Sequence, residues 1–561
     1  MVAILRLLAS LAVLAAPQGT ERSVRRYPLK ALSASLTDPQ GPRFGSFLTN
    51  EADPPESLEA SFFSNRRPGV SLSTAELLTL LQGAIQSTEV TLDVRGDALV
   101  AVATEPQHQQ ISALLTALES IITKPLSIEV QLFQLPAEKA QPLPHQVAPA
   151  EAPALLEKLR SNGVEIWSGI VDAIPGRIAE GGAIQRTPYT SSFSTEVAQK
   201  SAIAAPFMKT AGSGAHIGID ASPTLDGTAA LLVAALGRGE LLGLTRFDTR
   251  AKDVGSVDQP RLAGSRILTT AVVPLDGLLV LASCDRDAES RAIVACLRPR
   301  GPVRPPMLPP AASPGRALAL VRTDLLQGEQ GRVAAMLDAS LRPVPMDEHR
   351  VSREGGLAEL LRGGESAVRL EDLPSGYLSL MGTEPEVQSA LARLRAQEEL
   401  ESASCGIRVE VVRSSDERAA VAAETVLFSQ SYTVALGRVA AAMTGREESA
   451  VVGYGAEIAQ EAAIAAPIVR DLFRGLVSRA QLLRAGADFS RIQLDLQWSD
   501  FGPRERITSE ISPAGDHERV ALRSARASRI LELPHGKLTV VADLGPDGGS
   551  RLFVRCIAQR R

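Results

Sequence analysis

The sequence predicts an α+β chain written twice, each copy a small β-α-β-β-α unit followed by a larger, mostly β domain. Three observations predict it. Segments recur in one order along the chain, helical spacing and strand alternation follow one another inside each small unit, and 561 residues are too many for one typical domain. With 45% hydrophobic and 22% charged residues the chain can bury a core, so collagen-like, coiled-coil and wholly disordered readings fall away. Its 59 basic against 64 acidic side chains and 4% aromatic residues supply neither a positive field for phosphates nor platforms for stacking bases. No nucleic-acid partner is expected.

Residues 1–19 read as a secretory signal: Arg6, an apolar stretch from Leu7 to Ala16, then Pro17 and Gly19, with cleavage expected after Ala15. The stretch is shorter than the about 20 apolar residues that span a bilayer. No later segment spans either, since the most apolar one, Thr228 to Leu236, stops at Arg238 and Glu240. The chain is therefore read as exported.

The first small unit covers 20–124. A strand from Arg26 to Leu32 opens it, and a proline- and glycine-bearing insertion over 38–67 reads as a long mobile loop. Ser73 and Glu76 have the spacing of a capping box, and Leu77, Leu78, Leu81 and Ile85 then mark a helix running to about Gln86. Val90, Leu92 and Val94 alternate, Arg95-Gly96-Asp97 turns the chain, and Ala98, Val100 and Val102 alternate back as a hairpin. That tripeptide also spells a cell-adhesion motif, but a glycine supplying positive φ in a tight turn accounts for it. Thr104, Pro106 and Gln107 start a second helix with Ile111, Leu114, Leu115 and Leu118 on its apolar stripe.

The domain over 125–300 reads as short runs of Val, Ile and Leu separated by Gly, Pro and Asp turns, with one clear helix at Ala150 to Arg160. The proline-rich stretch from Pro299 to Gly315 gives a linker over 301–315. A second small unit over 316–402 repeats the hairpin at Val368 to Leu380 and the capping box at Thr383 and Glu386, and a second β domain fills 403–561.

Recurrence carries the duplication. Glu196 to Pro206 matches Glu457 to Pro467, including Gln199 and Gln460, and Gly214 matches Gly475 after the same interval. Ser265 to Leu268 recurs at Ser528 to Leu531, and a hairpin with Pro274 and Gly277 recurs at Pro534 and Gly536. Upstream, Thr104 to Pro106 recurs at Thr383 to Pro385, and Ile128, Val130 and Leu132 recur as Ile407, Val409 and Val411. Glu196, Gln199, Pro206, Gly214, Gly277, Glu457, Gln460, Pro467, Gly475 and Gly536 are thus the candidate assembly or structural motif. Each copy is expected to fold through its own hydrophobic interior.

Chemistry-bearing patterns are missing. No CxxC, HExxH or GxSxG occurs, Asp285 to Glu289 lacks the glycine and terminal glutamate of a calcium loop, and Gly212 to Gly218 has the wrong spacing for a dinucleotide fingerprint. No catalytic, cofactor-binding or metal-binding residue is expected. Of the four cysteines, Cys296 and Cys556 stand at equivalent places in two similar strands, which favours a buried thiol in each domain over a disulfide.

With a short strand such as Tyr27 to Leu32 ahead of its helix, each small unit resembles the ring-building N-domains of bacterial secretins, the outer-membrane channel proteins of type II and III secretion. Gln199 to Pro206, Gly214 to Ser222 and the turn at Leu225 to Gly227 are similar to the family's core β domain. Ser265 to Thr270 and Val273 to Leu281 are similar to its closing strands. There are departures. Ala282 to Cys284 replaces an expected glycine, the closing hairpin of the second copy ends at Val541 to Asp543, the gate segment of VPxxGxxPxxGxLF type is absent from both copies, and no separate pilotin-binding tail is apparent. No convincing set of strands of about 10 residues with one lipid-facing side is apparent. The resemblance implies a non-enzymatic envelope protein of the periplasm or outer membrane, a structural or assembly component related to type II/III protein secretion. It also implies envelope or secretion proteins and copies of itself as partners, membrane association without a transmembrane helix, and no cofactor. The alternatives are a monomeric periplasmic adaptor or binding module and an exported hydrolase.

Overall fold

A computed structural model describes residues 21–29, 48–49, 72–301 and 316–560, apart from short internal stretches and most of 323–367. The expected signal at 1–19, most of the insertion and the linker from 302 to 315 lie outside the described residues. β1 (Ser23–Pro28) is followed by β2 (Leu48–Thr49), α1 (Thr74–Ile85), the hairpin β3 (Thr91–Arg95) and β4 (Ala98–Ala103), and α2 (Glu105–Ile122). The capping box closes: the Ser73 N–H donates to the Glu76 carboxylate at 2.6 Å and the Glu76 N–H to Ser73 Oγ at 3.2 Å. β1 lies earlier than Arg26–Leu32 because Pro28 is paired with Ala98, the first residue after the hairpin turn, and Leu29 turns into the core.

The chain continues through β5 (Leu126–Pro136), α3 (Ala137–Ala140), β6 (Gln146–Val147), α4 (Ala152–Asn162) and β7 (Val164–Ala173). Four long strands follow, β8 (Ala179–Ala198), β9 (Ser201–Pro223), β10 (Ala229–Asp248) and β11 (Ser256–Pro274), and then β12 (Leu278–Asp285) and β13 (Arg291–Arg300). The second half runs β14 (Arg316–Arg322), β15 (Met336–Leu337), β16 (Pro343–Val344), β17 (Arg369–Leu373), β18 (Tyr377–Thr383), α5 (Glu384–Glu401), β19 (Ser404–Ser414), α6 (Glu417–Ala422) and β20 (Val426–Ala435). Its long strands are β21 (Val439–Ile458), β22 (Ala463–Ala485), β23 (Phe489–Ile507) and β24 (His517–Pro534), and β25 (Thr539–Asp547) and β26 (Ser550–Arg560) close the chain.

The expectation of short runs and of no barrel-length strands is overturned. The long strands of the first half have 20, 23, 20 and 19 residues, and those of the second half 20, 23, 19 and 18. Residues read as turns sit inside them. Pro206 pairs with Phe193 on β8, at a place where β9 has no β10 partner on its other side, the edge-like position that tolerates proline. Part of the insertion is also tied down, since Leu48 and Thr49 pair with Ala211 and Thr210 of β9. Likewise β13 runs through Pro299, which the sequence reading assigned to the spacer; Pro299 pairs with Ile128 and its carbonyl accepts the Asp276 N–H.

The long strands form one antiparallel sheet in the order β8-β9-β10-β11-β21-β22-β23-β24. The shorter ones form a second, β25-β26-β19-β20-β12-β13-β5-β7. Two three-stranded sheets, β1-β4-β3 and β14-β18-β17, hold the small units; the place of a first helix in the second of them falls outside the described residues. The segments at Pro274–Gly277 and Pro534–Gly536 are not hairpin turns but corners that carry the chain from the long sheet to the shorter one. At these corners Asp276 (φ 62°) and Gly536 (φ 72°) share the left-handed conformation. Gly277 and Lys537 each donate their N–H back to the proline carbonyl, so Gly536 stands in the place of Asp276 rather than of Gly277.

The interior is shared, contrary to expectation. The largest apolar cluster takes Ile128, Leu232 and Leu279 from the first half and Ile407, Leu476, Ile492 and Val554 from the second. A further cluster joins α1 and α2 to Leu318, Leu320, Tyr377 and Met381 of the second small unit. Because both large sheets are continuous across the halves, one apolar layer serves both. None of the four cysteines is in a disulfide and all are buried, as expected for Cys296 and Cys556, but those two are not equivalent. Cys296 is opposite Gln131 and packs with Phe133 and Leu156, whereas Cys556 is opposite Val409 in the shared core. The residue in Cys296's place is Arg555, whose guanidinium pairs with buried Glu410 at 2.7 Å. A one-residue step along a strand reverses the face, which the local sequence match does not register.

Candidate functional site

Two strand seams join the halves. In the long sheet Arg261–Leu268 of β11 pairs with Ala441–Glu448 of β21, placing Gly264 opposite Gly445. In the shorter sheet Ala282–Asp285 of β12 pairs with Phe428–Ser431 of β20. Polar side chains reinforce both. The Thr269 hydroxyl donates to the Thr433 carbonyl at 2.7 Å and accepts the Thr433 N–H at 3.2 Å, and the Ser283 and Thr444 hydroxyls meet at 3.1 Å. Arg446 pairs with Asp285 at 3.1 Å and Arg261 with Glu448 at 3.4 Å. A cavity of about 290 Å³ beside the long seam is lined by Arg238, Arg261, Arg291 and Arg446 together with Glu240 and Asp285. Its charges pair with one another, Arg238 reaching Glu240 at 3.0 Å, so it reads as part of the seam.

In each half an acid of the fourth long strand grips the first. The Thr190 N–H donates to Asp258 Oδ2 at 2.9 Å, and the Val451 N–H donates to Glu518 Oε2 at 3.0 Å. Both amides stand at ladder irregularities, Thr190/Ser192 and Val451/Gly453, where a bulge leaves an N–H without a strand partner. Arg504 adds bonds to the Ser449 carbonyl at 2.8 Å and the Glu448 carboxylate at 2.7 Å. Sequence reading missed Asp258 and Glu518 because their neighbours differ and only the ladder aligns them.

Every strand of the two seams has a partner of matching length and place at an outer edge of the same sheet: β24 for β11, β8 for β21, β25 for β12 and β7 for β20. The inner members are covered and the outer ones open. β20 is buried along its whole length, while β7 exposes Ile170 at 72%. β24 exposes Leu522 at 41% and Ile530 at 56%, whereas β11 is buried from Ser265 to Val273.

The repeated motif residues take the following places in the ladders. Gly214 is opposite Ile184 and Gly239, and Gly475 is opposite Gly445 and Ser499, the same rung in each half. Their φ values are 140° and 158°, and an added Cβ would stand 2.0 Å from the Ala183 carbonyl oxygen and 2.1 Å from that of Thr444. Glycine is required there for close backbone approach. Glu196 and Glu457 pair with Ile203 and Ile464, and Pro206 and Pro467 with Phe193 and Tyr454, again at matching rungs. Glu196 and Pro206 are exposed and Pro467 is buried, while Gln199 and Gln460 lie outside the described residues. The tetrapeptide match is out of step: the residue in the place of Ser265 is Ala525, opposite Trp498, rather than Ser528. The eight described motif residues are spread from hairpin ends to sheet corners and form no common pocket.

Two buried titratable groups tie the halves elsewhere. The Leu225 N–H donates to the Glu398 carboxylate at 2.8 Å, and burial pushes that carboxyl up to about 7. His145 Nδ1 lies 3.1 Å from Ser431 Oγ, and burial, aided by Arg408, lowers the imidazole to about 4.

No family model matches the chain, and no curated protein matches it. Among solved structures it is similar to the secretin-domain β-barrel of InvG from the Salmonella SPI-1 injectisome, at 10% identity over 44% of this chain and 88% of that one, TM-score 0.20. The V. cholerae type IV competence pilus secretin PilQ matches at 9% identity over 44% and 77%, TM-score 0.19. PulD, in the Klebsiella pneumoniae type II secretion system outer membrane complex, matches at 9% identity over 98% and 76%, TM-score 0.19. Among the described residues no helix is long and apolar enough to cross a membrane.

Proposed function

We propose that the chain is an exported, non-enzymatic structural component of a cell-envelope assembly related to protein secretion, which joins copies of itself head to tail in the periplasm or at the outer membrane. On this reading the chain is a tandem duplication, with small units at 20–124 and 316–402 and secretin-like β domains at 125–300 and 403–561, and the ten repeated residues are structural. One observation carries it: β24 and β8 end the long sheet with 521–528 and 180–187 exposed or half-exposed, while β11 and β21, in the same places within the chain, are covered by each other. Open edges of this length are templates for strand addition, and the surface that covers them best is the one already used at the internal seams. The secretin-like motifs around Gly214 and Pro274 support the same reading.

The test is the mass of the purified mature chain by light scattering, with negative-stain imaging. Closed rings or heat-resistant multimers are expected. A clean monomer at all concentrations overturns self-assembly in favour of the adaptor reading, and turnover of an ester or peptide panel revives the hydrolase.

A further inference from the structure

We infer that one copy joins the next through the long sheet alone, by antiparallel pairing of β24 with the neighbour's β8 in the register of the internal seam, so that chain-to-chain seams are single and internal seams double. This rests on the head-to-tail reading above. The register follows from the ladders. Ser524 is opposite Ser499 as Gly264 is opposite Gly239, so Ser524 takes the place of Gly264. Ile184 is opposite Gly214 as Gly445 is opposite Gly475, so Ile184 takes the place of Gly445. Transferring the internal pairing sets Ser524 against Ile184 of the next copy, with Ala521 against Thr187 and Ser528 against Glu180 at the ends. The described strands leave these stretches exposed or half-exposed on both sides.

A proline bounds both seams at one rung. Inside the chain the ladder stops at Arg261 and Glu448, immediately before Pro260. The transferred ladder stops at Ala521 and Thr187, immediately before Pro188, which lies on the other strand of the same rung. Proline has no N–H to donate, so either position ends the pairing at the same height.

The shorter sheet differs. β12 runs in unbroken register with β13 from Leu279 to Asp285. β25, in its place, carries irregularities at Val540/Ala542 and Asp543/Gly545 and has Pro546 opposite Arg551, the rung at which Cys284 pairs with Ser429 inside the chain. Bulges and a proline are the devices that keep an edge from accepting a strand. β25 therefore stays unpaired against the neighbour's β7, and assemblies open between chains before they open within them.

Cysteine pairs read this directly, since the four native cysteines are buried. Ser524→Cys with Ile184→Cys in one chain is expected to give a ladder of covalent multimers under mild oxidation. Shifting one member by a rung, Ser524→Cys with Ala183→Cys, turns the two thiols to opposite faces and is expected to lower the yield about tenfold. Asp543→Cys with Ile170→Cys, set opposite by the same transfer in the shorter sheet, is expected to stay uncrosslinked. Multimers by light scattering with no crosslink, or with the shifted crosslink, overturn the register and leave self-assembly standing. Efficient crosslinking of the Asp543 and Ile170 pair overturns the single seam. A monomer throughout overturns both readings.

Discussion

Glu398→Gln isolates one contact between the halves. Glu398 lies on α5 of the second small unit and accepts the N–H of Leu225, a residue in the turn between β9 and β10 of the first β domain. Leu225 itself is inserted among Val387, Leu391 and Leu394, so the turn and the helix are docked as one body. Burial raises the carboxyl from 4.5 to about 7. The native state thus holds the proton more tightly than the unfolded chain. Stability from this group is fully present below pH 4.5 and is lost as pH rises through about 7. At about 1.4 kcal/mol per pH unit the loss is about 3 kcal/mol, an upper bound. Glutamine keeps the acceptor for Leu225 and cannot ionise. The variant should therefore gain on the wild type by about 2–3 kcal/mol between pH 5 and pH 8, the titration of other groups cancelling in the difference. Urea midpoints of both proteins across that range measure it, and the exchange rate of the Leu225 amide, compared between the two at each pH, localises it. A stability difference that stays flat with pH would refute the reasoning.

Two further substitutions probe the long sheet. Glu518→Ala strips the acceptor from the Val451 N–H and a partner from Arg504, which lies 3.6 Å away. It should cost about 1–3 kcal/mol, with local loss of hydrogen-exchange protection at Val451. Gly475→Ala drives a Cβ to 2.1 Å from the Thr444 carbonyl oxygen, whereas nothing lies within 4 Å of a Cβ at Gly453. The first should lower thermal stability by about 2 kcal/mol or more and the second by less than about 1 kcal/mol; equal effects would contradict the close approach.

Local physics was legible in the sequence. The box at Ser73, the hairpin between Val94 and Leu99, and the caps at Thr104 and Thr383 rest on contacts between residues a few positions apart, and they stand where spacing places them. The glycines at 214 and 475 were found because a backbone that must approach another tolerates one residue type, so recurrence survives elsewhere-divergent sequence. Asp258 and Glu518 were not found, since their role is set by a bulge on a strand far away in the chain. The match of Ser265–Leu268 with Ser528–Leu531 misled for the same reason. Ile267 is 3% exposed and Ile530 is 56% exposed, although both follow Ser-Arg.

The amino-acid order by itself determined the periodicities and the caps, which depend on near neighbours, and showed short segments recurring in one order along the chain. Only the tertiary structure decided that the two halves share one interior, that Cys296 and Cys556 face different layers, and which edges remain open. Strand partners are chosen by backbone groups that every residue except proline carries alike. Which edge meets which is therefore written in the register of the whole sheet and not in any segment of it.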